Sequence, residues 1–141
     1  SASVDRSVRV WDAESGEPLA TLLAHTATVG TLAFSPDGSR LASAAWDGSV
    51  VLWDTQTWQP LRVSSEHRSR VYAVSFSQDG TLFANSANDG ELILWNEESG
   101  EPLGTLQAGE GAVRAVLFAP DGRLLMSGSD DGLLRFWGVQ P

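Results

Sequence analysis

Short apolar runs recur along the chain, and turn-forming residues separate them. In the most regular stretch the runs lie at 29–34, 41–45, 50–53 and 60–63. The first run alternates in the manner of a strand, and no segment keeps the 3.6-residue period of an amphipathic helix. Asp-Gly pairs separate the first three runs, and glycine adopts a positive φ in such turns without steric cost. The pattern predicts four short antiparallel strands in each unit and no helix.

The same pattern returns every 42 residues without an insertion. Tryptophan marks the register at Trp11, Trp53, Trp95 and Trp137, and an aspartate stands six residues before each one. The run at 50–53 is apolar at every position, so both faces of its sheet must be covered. Stacking successive sheets about an axis covers both faces, which is the β-propeller arrangement. We therefore expect the four tryptophans to lie in the core.

The repeats predict a single all-β segment of β-propeller blades, each a four-stranded antiparallel meander. Two blades are complete and two are partial: a partial blade at 1–23, complete blades at 28–64 and 70–107, and a blade without its outer strand at 112–138. The two end faces would expose more apolar surface than a monomer usually does. We expect either further blades of a larger propeller, of which this would be the C-terminal part, or a second copy that exchanges residues 18–23, to cover them.

Several motifs resemble those of the WD-repeat β-propeller family. Trp11-Asp12 and Trp53-Asp54 match its Trp-Asp ending, and Ser35 to Gly38 reads Ser-Pro-Asp-Gly. The resemblance implies a buried relay in each repeat, in which Trp donates to Ser, Ser to His and His to Asp. By position the relay residues are His25, Ser43, Asp47 and Trp53; then His67, Asn85, Asp89 and Trp95, with Asn for the hydroxyl; then Ser127, Asp131 and Trp137, with Gly109 in place of His.

The resemblance also implies a non-enzymatic scaffold that binds other proteins. Its partner-binding face would carry the turn residue before each relay aspartate and the loop before each first strand, which here are Trp46, Arg68, Arg70, Asn88 and Asp130. The two arginines could receive an acidic or phosphorylated partner through charge-assisted hydrogen bonds. Trp58, which replaces the glycine of the other repeats, is a second candidate contact. The alternatives are a structural fragment that stacks blades and closes a ring, and a sensory or regulatory domain of a larger signalling protein.

Composition excludes several classes of partner and site. The net charge is −9 and the chain has no cysteine. The negative net charge disfavours binding to nucleic acid, whose phosphates bind Lys and Arg. No apolar run is long enough to span a bilayer. The lack of cysteine removes disulfides and thiolate sites and fits a reducing, cytoplasmic setting. His25, Ser43 and Asp47 imitate a hydrolase triad, but their repeat positions indicate packing, so we expect no enzyme activity, cofactor or metal ion.

Overall fold

The computed structural model describes residues 1–138, which form antiparallel strands joined by turns and contain no helix. No segment among these residues is therefore a helix that could cross a membrane. The strands are β1 (Ser7–Trp11), β2 (Pro18–Leu23), β3 (Val29–Phe34), β4 (Arg40–Ala45), β5 (Val50–Asp54), β6 (Pro60–Ser64), β7 (Val71–Phe76), β8 (Leu82–Ala87), β9 (Glu91–Asn96), β10 (Pro102–Gln107), β11 (Val113–Phe118), β12 (Leu124–Ser129) and β13 (Leu134–Gly138).

The strands pair in chain order and form four sheets. Sheet I contains β1 and β2, sheet II contains β3 to β6, sheet III contains β7 to β10, and sheet IV contains β11 to β13. Every pairing is antiparallel between consecutive strands. The all-β fold of successive meanders predicted from the repeat pattern is confirmed.

Two glycines allow the turn of one repeat to pack closely against the loop of the next. Gly48, in the turn between β4 and β5, has a φ of +86°, and Gly90 occupies the same place in sheet III with a φ of +85°. A Cβ on Gly48 would overlap the carbonyl oxygen of His67, and one on Gly90 would overlap that of Gly109. Only glycine permits both the left-handed backbone and this close approach. Each turn therefore fixes the loop that enters the next sheet.

The sheets stack face to face in the order I, II, III and IV. Val50 packs towards sheet III, whereas the adjacent Val51 packs towards sheet I. Side chains of a strand alternate between the two faces, so the wholly apolar run of β5 serves two interfaces at once. Three apolar clusters, one per interface, make up the core.

Burial falls at both ends of the stack. Trp53 and Trp95 are each 2% exposed, but Trp11 is 46% exposed, so the expectation that all four tryptophans are core was wrong for Trp11. Sheet I has two strands, and only one of its faces meets another sheet. At the other end Leu134 and Phe136 on β13 are 72% and 62% exposed. The same repeat position is therefore core or surface according to whether a neighbouring sheet covers it.

We predict that Leu92→Ala lowers the free energy of unfolding by about 2–5 kcal/mol, because Leu92 is fully buried between sheets III and IV. Leu103→Ala is the matched control, since Leu103 lies on β10 of the same sheet and is exposed. It should change the free energy by less than about 0.5 kcal/mol. Urea denaturation followed by tryptophan fluorescence measures both values. Equal losses would contradict the stacking of sheet III on sheet IV.

Candidate functional site

A chain of five polar side chains runs through sheet II. The Trp53 indole N–H donates to Ser43 Oγ at 2.8 Å, and Ser43 lies 2.7 Å from His25 Nε2. His25 Nδ1 lies 2.7 Å from Ser49 Oγ, which donates to Asp47 at 2.6 Å. Since Ser49 gives its only hydrogen to Asp47, it accepts from His25 Nδ1, which leaves Nε2 to accept from the Ser43 hydroxyl. Every hydrogen bond in the chain is thus donated in the same direction, from Trp53 towards Asp47.

The structure corrects the expected relay at one point. His25 Nδ1 is 3.8 Å from Asp47, beyond hydrogen-bond distance, and Ser49 bridges the two. The second Asp47 oxygen instead accepts the Thr26 backbone N–H at 2.6 Å. Burial tends to raise the pKa of Asp47, but hydrogen bonds from Ser49 and Thr26 lower it to about 2. Asp47 therefore holds the loop before β3 as well as the relay.

Sheet III carries an altered version of this relay. Trp95 donates to Asn85 Oδ1 at 2.9 Å, and His67 Nδ1 lies 3.2 Å from Asp89. His67 Nε2 is buried without a hydrogen-bond partner among the described residues, so the amide does not reproduce the link that Ser43 makes. Glu91 replaces the bridging Ser49, and ligand atoms of His67, Asp89 and Glu91 lie within 4.8 Å of one another. Two separate hydrogen-bonded pairs thus replace one continuous chain.

Both end sheets keep the tryptophan link, and sheet I also keeps the serine-to-aspartate link, in which Ser7 Oγ donates to Asp5 at 2.6 Å. Trp137 donates to Ser127 at 3.1 Å, and Trp11 donates to Ser1 at the same distance. Asp131 pairs with Arg135 at 2.7 Å. The place of the histidine is taken by Gly109, where even a Cβ would overlap Ser129. The last relay is therefore incomplete, because Gly109 supplies no imidazole and the Ser129 side chain occupies the adjoining space.

One end of the sheets gathers the residues proposed as a partner-binding face. The turn residues Trp46, Asn88 and Asp130 each donate a backbone N–H, at 2.9 Å, to the carbonyl of the residue that precedes the first strand of the same sheet. These acceptors are Thr28, Arg70 and Ala112. The repeated bond fixes each turn beside the incoming loop, so the turns and loops share one surface.

Trp46 forms the centre of one contact on this surface. Its indole lies over Gly30, where an added Cβ would come within 3.2 Å of the indole nitrogen. The Arg70 guanidinium, from the loop before sheet III, stacks 4.5 Å above the ring centroid. A cation over an aromatic face is attracted by the ring quadrupole. Trp46 thus joins sheet II to the next repeat while remaining 41% exposed.

Tyr72 and Arg114 form a second contact on the same surface, and sequence reasoning missed both. Tyr72 donates to Asn88 at 3.1 Å, and the Arg114 guanidinium lies 4.3 Å from the Tyr72 ring centroid. Arg114 also holds Asp130 through both carboxylate oxygens, the shortest distance being 2.7 Å. The repeat pattern could have indicated them. Tyr72 and Arg114 share one repeat position with Gly30, and their contacts Asn88 and Asp130 share another with Trp46.

Arg114 is paired with a carboxylate, whereas Arg70 is not. Asp130 neutralises Arg114, and it raises the Arg114 pKa above its ordinary value. Within residues 1–138, no carboxylate lies within ion-pair distance of Arg68 or Arg70. The surface therefore presents two exposed arginines, Arg68 and Arg70, of which Arg70 lies over the Trp46 ring, on a protein of net charge −9.

Trp58 lies away from this surface, in the turn between β5 and β6. Its φ is +57°, while Gly16 and Gly100 at the same repeat position have φ values of +74° and +62°. A side chain pays a steric cost in this region. The indole packs against the apolar cluster between sheets I and II. Trp58 thus stabilises the stack, and the structure does not bring it near Trp46.

Face-to-face antiparallel meanders with a Trp–Ser–His relay define the class of repeat propeller blades. The family model described as WD domain, G-beta repeat matches three times, at residues 16–54, 58–96 and 100–138. The chain belongs to this family. No curated protein shows significant similarity to the chain. Repeats of this family build protein-interaction scaffolds, so the domain is of that general kind.

We predict that Ser43→Ala costs about 1–3 kcal/mol of unfolding free energy, because it leaves the buried His25 Nε2 and the Trp53 N–H without partners. Ser127→Ala should cost less, since it removes a single bond to the partly buried Trp137. Urea denaturation compares the two variants. A larger loss for Ser127→Ala would refute the assignment of the complete relay to sheet II.

The relay also makes stability depend on pH. Burial lowers the pKa of His25 below its ordinary value of 6.5. As the pH falls below about 6.5, the unfolded chain binds a proton at His25 that the folded chain does not, so stability decreases. We expect a lower melting temperature at pH 5 than at pH 7.5, and a smaller difference in His25→Asn. Thermal denaturation at the two pH values tests this, and an unchanged difference in the variant would contradict it.

Proposed function

We propose that the chain is a non-enzymatic protein-interaction scaffold that binds partners through the face carrying Trp46, Arg68, Arg70, Asn88 and Asp130. The observation that supports this most directly is the Arg70 guanidinium on the exposed Trp46 ring, with no carboxylate of residues 1–138 within ion-pair distance of it. Tryptophan and arginine are the residues most enriched where binding energy concentrates in interfaces.

The partner chemistry we propose is an acidic or phosphorylated segment. An arginine whose donors are unpaired can bind a carboxylate or phosphate through two parallel hydrogen bonds. Stacking on Trp46 restrains the Arg70 side chain, so less conformational entropy is lost on binding. The adjacent Arg114 is already paired with Asp130 and adds little attraction. We therefore place the anion-binding position at Arg70 and Arg68, and the neighbouring Asn88 and Tyr72 supply polar contacts.

The triad-like residues support a structural role instead of catalysis. Ser43 is fully buried, and its oxygen already accepts the Trp53 N–H. A nucleophilic serine must reach a substrate carbonyl, and this one lies under the indole between two sheets. We propose that the chain carries out no reaction, and a reducing, cytoplasmic location is compatible with the absence of cysteine.

A second candidate function is assembly through the end sheets. β13 is an edge strand within the described residues, and its Leu134 and Phe136 are largely exposed. At the opposite end Trp11 and Phe34 are exposed. Exposed apolar surface next to an unpaired strand edge favours association with further blades, of the same propeller or of a second copy.

The scaffold proposal predicts that Trp46→Ala and Arg70→Ala each weaken the binding of acidic peptides at least about tenfold. The probe is a set of fluorescent peptides carrying glutamate or phosphoserine, with neutral peptides of matched sequence, measured by anisotropy. Arg123→Ala is the control, since Arg123 is exposed in the turn between β11 and β12 at the other end of the sheet. Binding unaffected by the two substitutions, or equally weakened by Arg123→Ala, would remove the proposed face.

A further inference from the structure

Sheet III differs from the other three sheets in how the charge of its relay aspartate is balanced. In sheets I and IV an arginine four residues further along the chain pairs with the aspartate. In sheet II Ser49 and the Thr26 backbone N–H donate to Asp47. In sheet III no arginine of residues 1–138 lies within ion-pair distance of Asp89, and Glu91 stands at the repeat position of Ser49. This turn therefore gathers negative charge where the other sheets offset it.

A buried imidazole completes the group. His67 Nδ1 lies 3.2 Å from Asp89 Oδ2, and one ligand atom from each of His67, Asp89 and Glu91 lies within 4.8 Å of the other two. The His67 side chain is 1% exposed and that of Asp89 is 23% exposed, so water reaches the group from the carboxylate side. Two donors orient Asp89, because Ser69 Oγ donates to Oδ2 at 2.9 Å and the Glu91 backbone N–H donates to Oδ1 at 3.1 Å.

The position of the ring proton distinguishes His67 from its counterpart in sheet II. There Ser43 donates to His25 Nε2, which keeps the proton on Nδ1 and prevents that nitrogen from binding a metal ion. In sheet III Asn85 replaces Ser43, and His67 Nε2 is buried without a hydrogen-bond partner in the described part of the chain. No donor therefore holds the His67 proton on Nδ1, and a metal ion beside the two carboxylates can replace it.

We propose that His67 Nδ1, Asp89 and Glu91 form a binding site for a divalent transition-metal ion, of which zinc fits best. Zinc accepts imidazole and carboxylate ligands, whereas magnesium and calcium prefer oxygen alone. Tetrahedral ligand atoms about 2.0–2.2 Å from zinc are about 3.3–3.6 Å apart. Nδ1 and Oδ2 are already close to this separation, and the partly exposed Glu91 side chain has a short distance to move. Such a site goes beyond the proposed function, and it replaces the expectation that the chain binds no metal ion.

A bound ion performs in sheet III the bridging that Ser49 performs in sheet II, where the hydroxyl connects the relay histidine to the relay aspartate. The ion joins the loop before β7, which contains His67, to the turn before β9 and to the first residue of β9. It also neutralises two carboxylates that no arginine within residues 1–138 neutralises. Because the same loop carries Arg68 and Arg70, the ion restrains the backbone that presents these side chains.

The chain has two histidines, so imidazole nitrogen NMR follows each of them while the full chain is titrated with zinc chloride. We expect the His67 Nδ1 signal to shift and to saturate at one zinc ion per chain, with a micromolar dissociation constant. The His25 signals should not move, because both ring nitrogens are already hydrogen-bonded. Magnesium chloride should shift neither histidine. Saturating zinc should also raise the melting temperature, since a ligand of the folded state stabilises that state.

Two substitutions of equal charge locate the binding. Glu91→Gln should weaken zinc binding at least about tenfold, since the loss of even an outer-shell partner commonly costs about 10- to 100-fold. Glu101→Gln is the matched control and should leave the affinity unchanged, because Glu101 is exposed between β9 and β10, at the opposite end of the same sheet.

Three results overturn the site. The first is the absence of any His67 shift at millimolar zinc. The second is equal weakening by both substitutions, which means that zinc binds the acidic surface in general. The third is a His67 ring that carries protons on both nitrogens at neutral pH and does not respond to zinc, because a proton then balances the carboxylates. None of these results bears on the proposed peptide-binding face, which the substitutions of Trp46 and Arg70 test.

Discussion

Covering both faces of every sheet is the constraint on which the rest of the structure depends. A four-stranded antiparallel sheet with apolar residues on each side cannot be stable alone, and here each of sheets I to III is covered on one face by the next sheet in the chain. This explains why adjacent residues such as Val50 and Val51 are both buried while facing different neighbours. It also explains why the same repeat position changes from core to surface at the ends of the stack.

The stacking of the sheets also fixes the positions of the loops. Gly48 and Gly90 bring the turn of one sheet against the loop that enters the next. In sheet II the relay from Trp53 to Asp47 ties the third strand to that sheet's own incoming loop. Buried hydrogen-bond chains of this kind fix geometry because any unpaired member would be costly. The result is a set of short, restrained loops on one surface, which suits them to present side chains to a partner.

The proposed binding face results from contacts between repeats. Arg70 is positioned by Trp46 of the preceding sheet, and Arg114 by Tyr72 of the preceding sheet. Each sheet thus determines how the arginine of its neighbour is displayed. Asp130 neutralises Arg114, which leaves Arg70 as the more available cation. Small differences at equivalent positions give a repetitive scaffold a surface that is not itself repetitive.

The sequence alone determined the strand pattern, the turns and the stacking, because a period of 42 residues and apolar runs without polar interruption leave few other ways to cover the sheets. It also located the relay positions and the turn residues of the proposed binding face. Tertiary structure decided what depends on distance: Ser49 stands between His25 and Asp47, Trp11 is exposed, and Tyr72 and Arg114 complete the face. Spacing along the chain gives the order of residues on a strand. Which side chains meet across two sheets depends on how those sheets pack, and that information is absent from any single repeat.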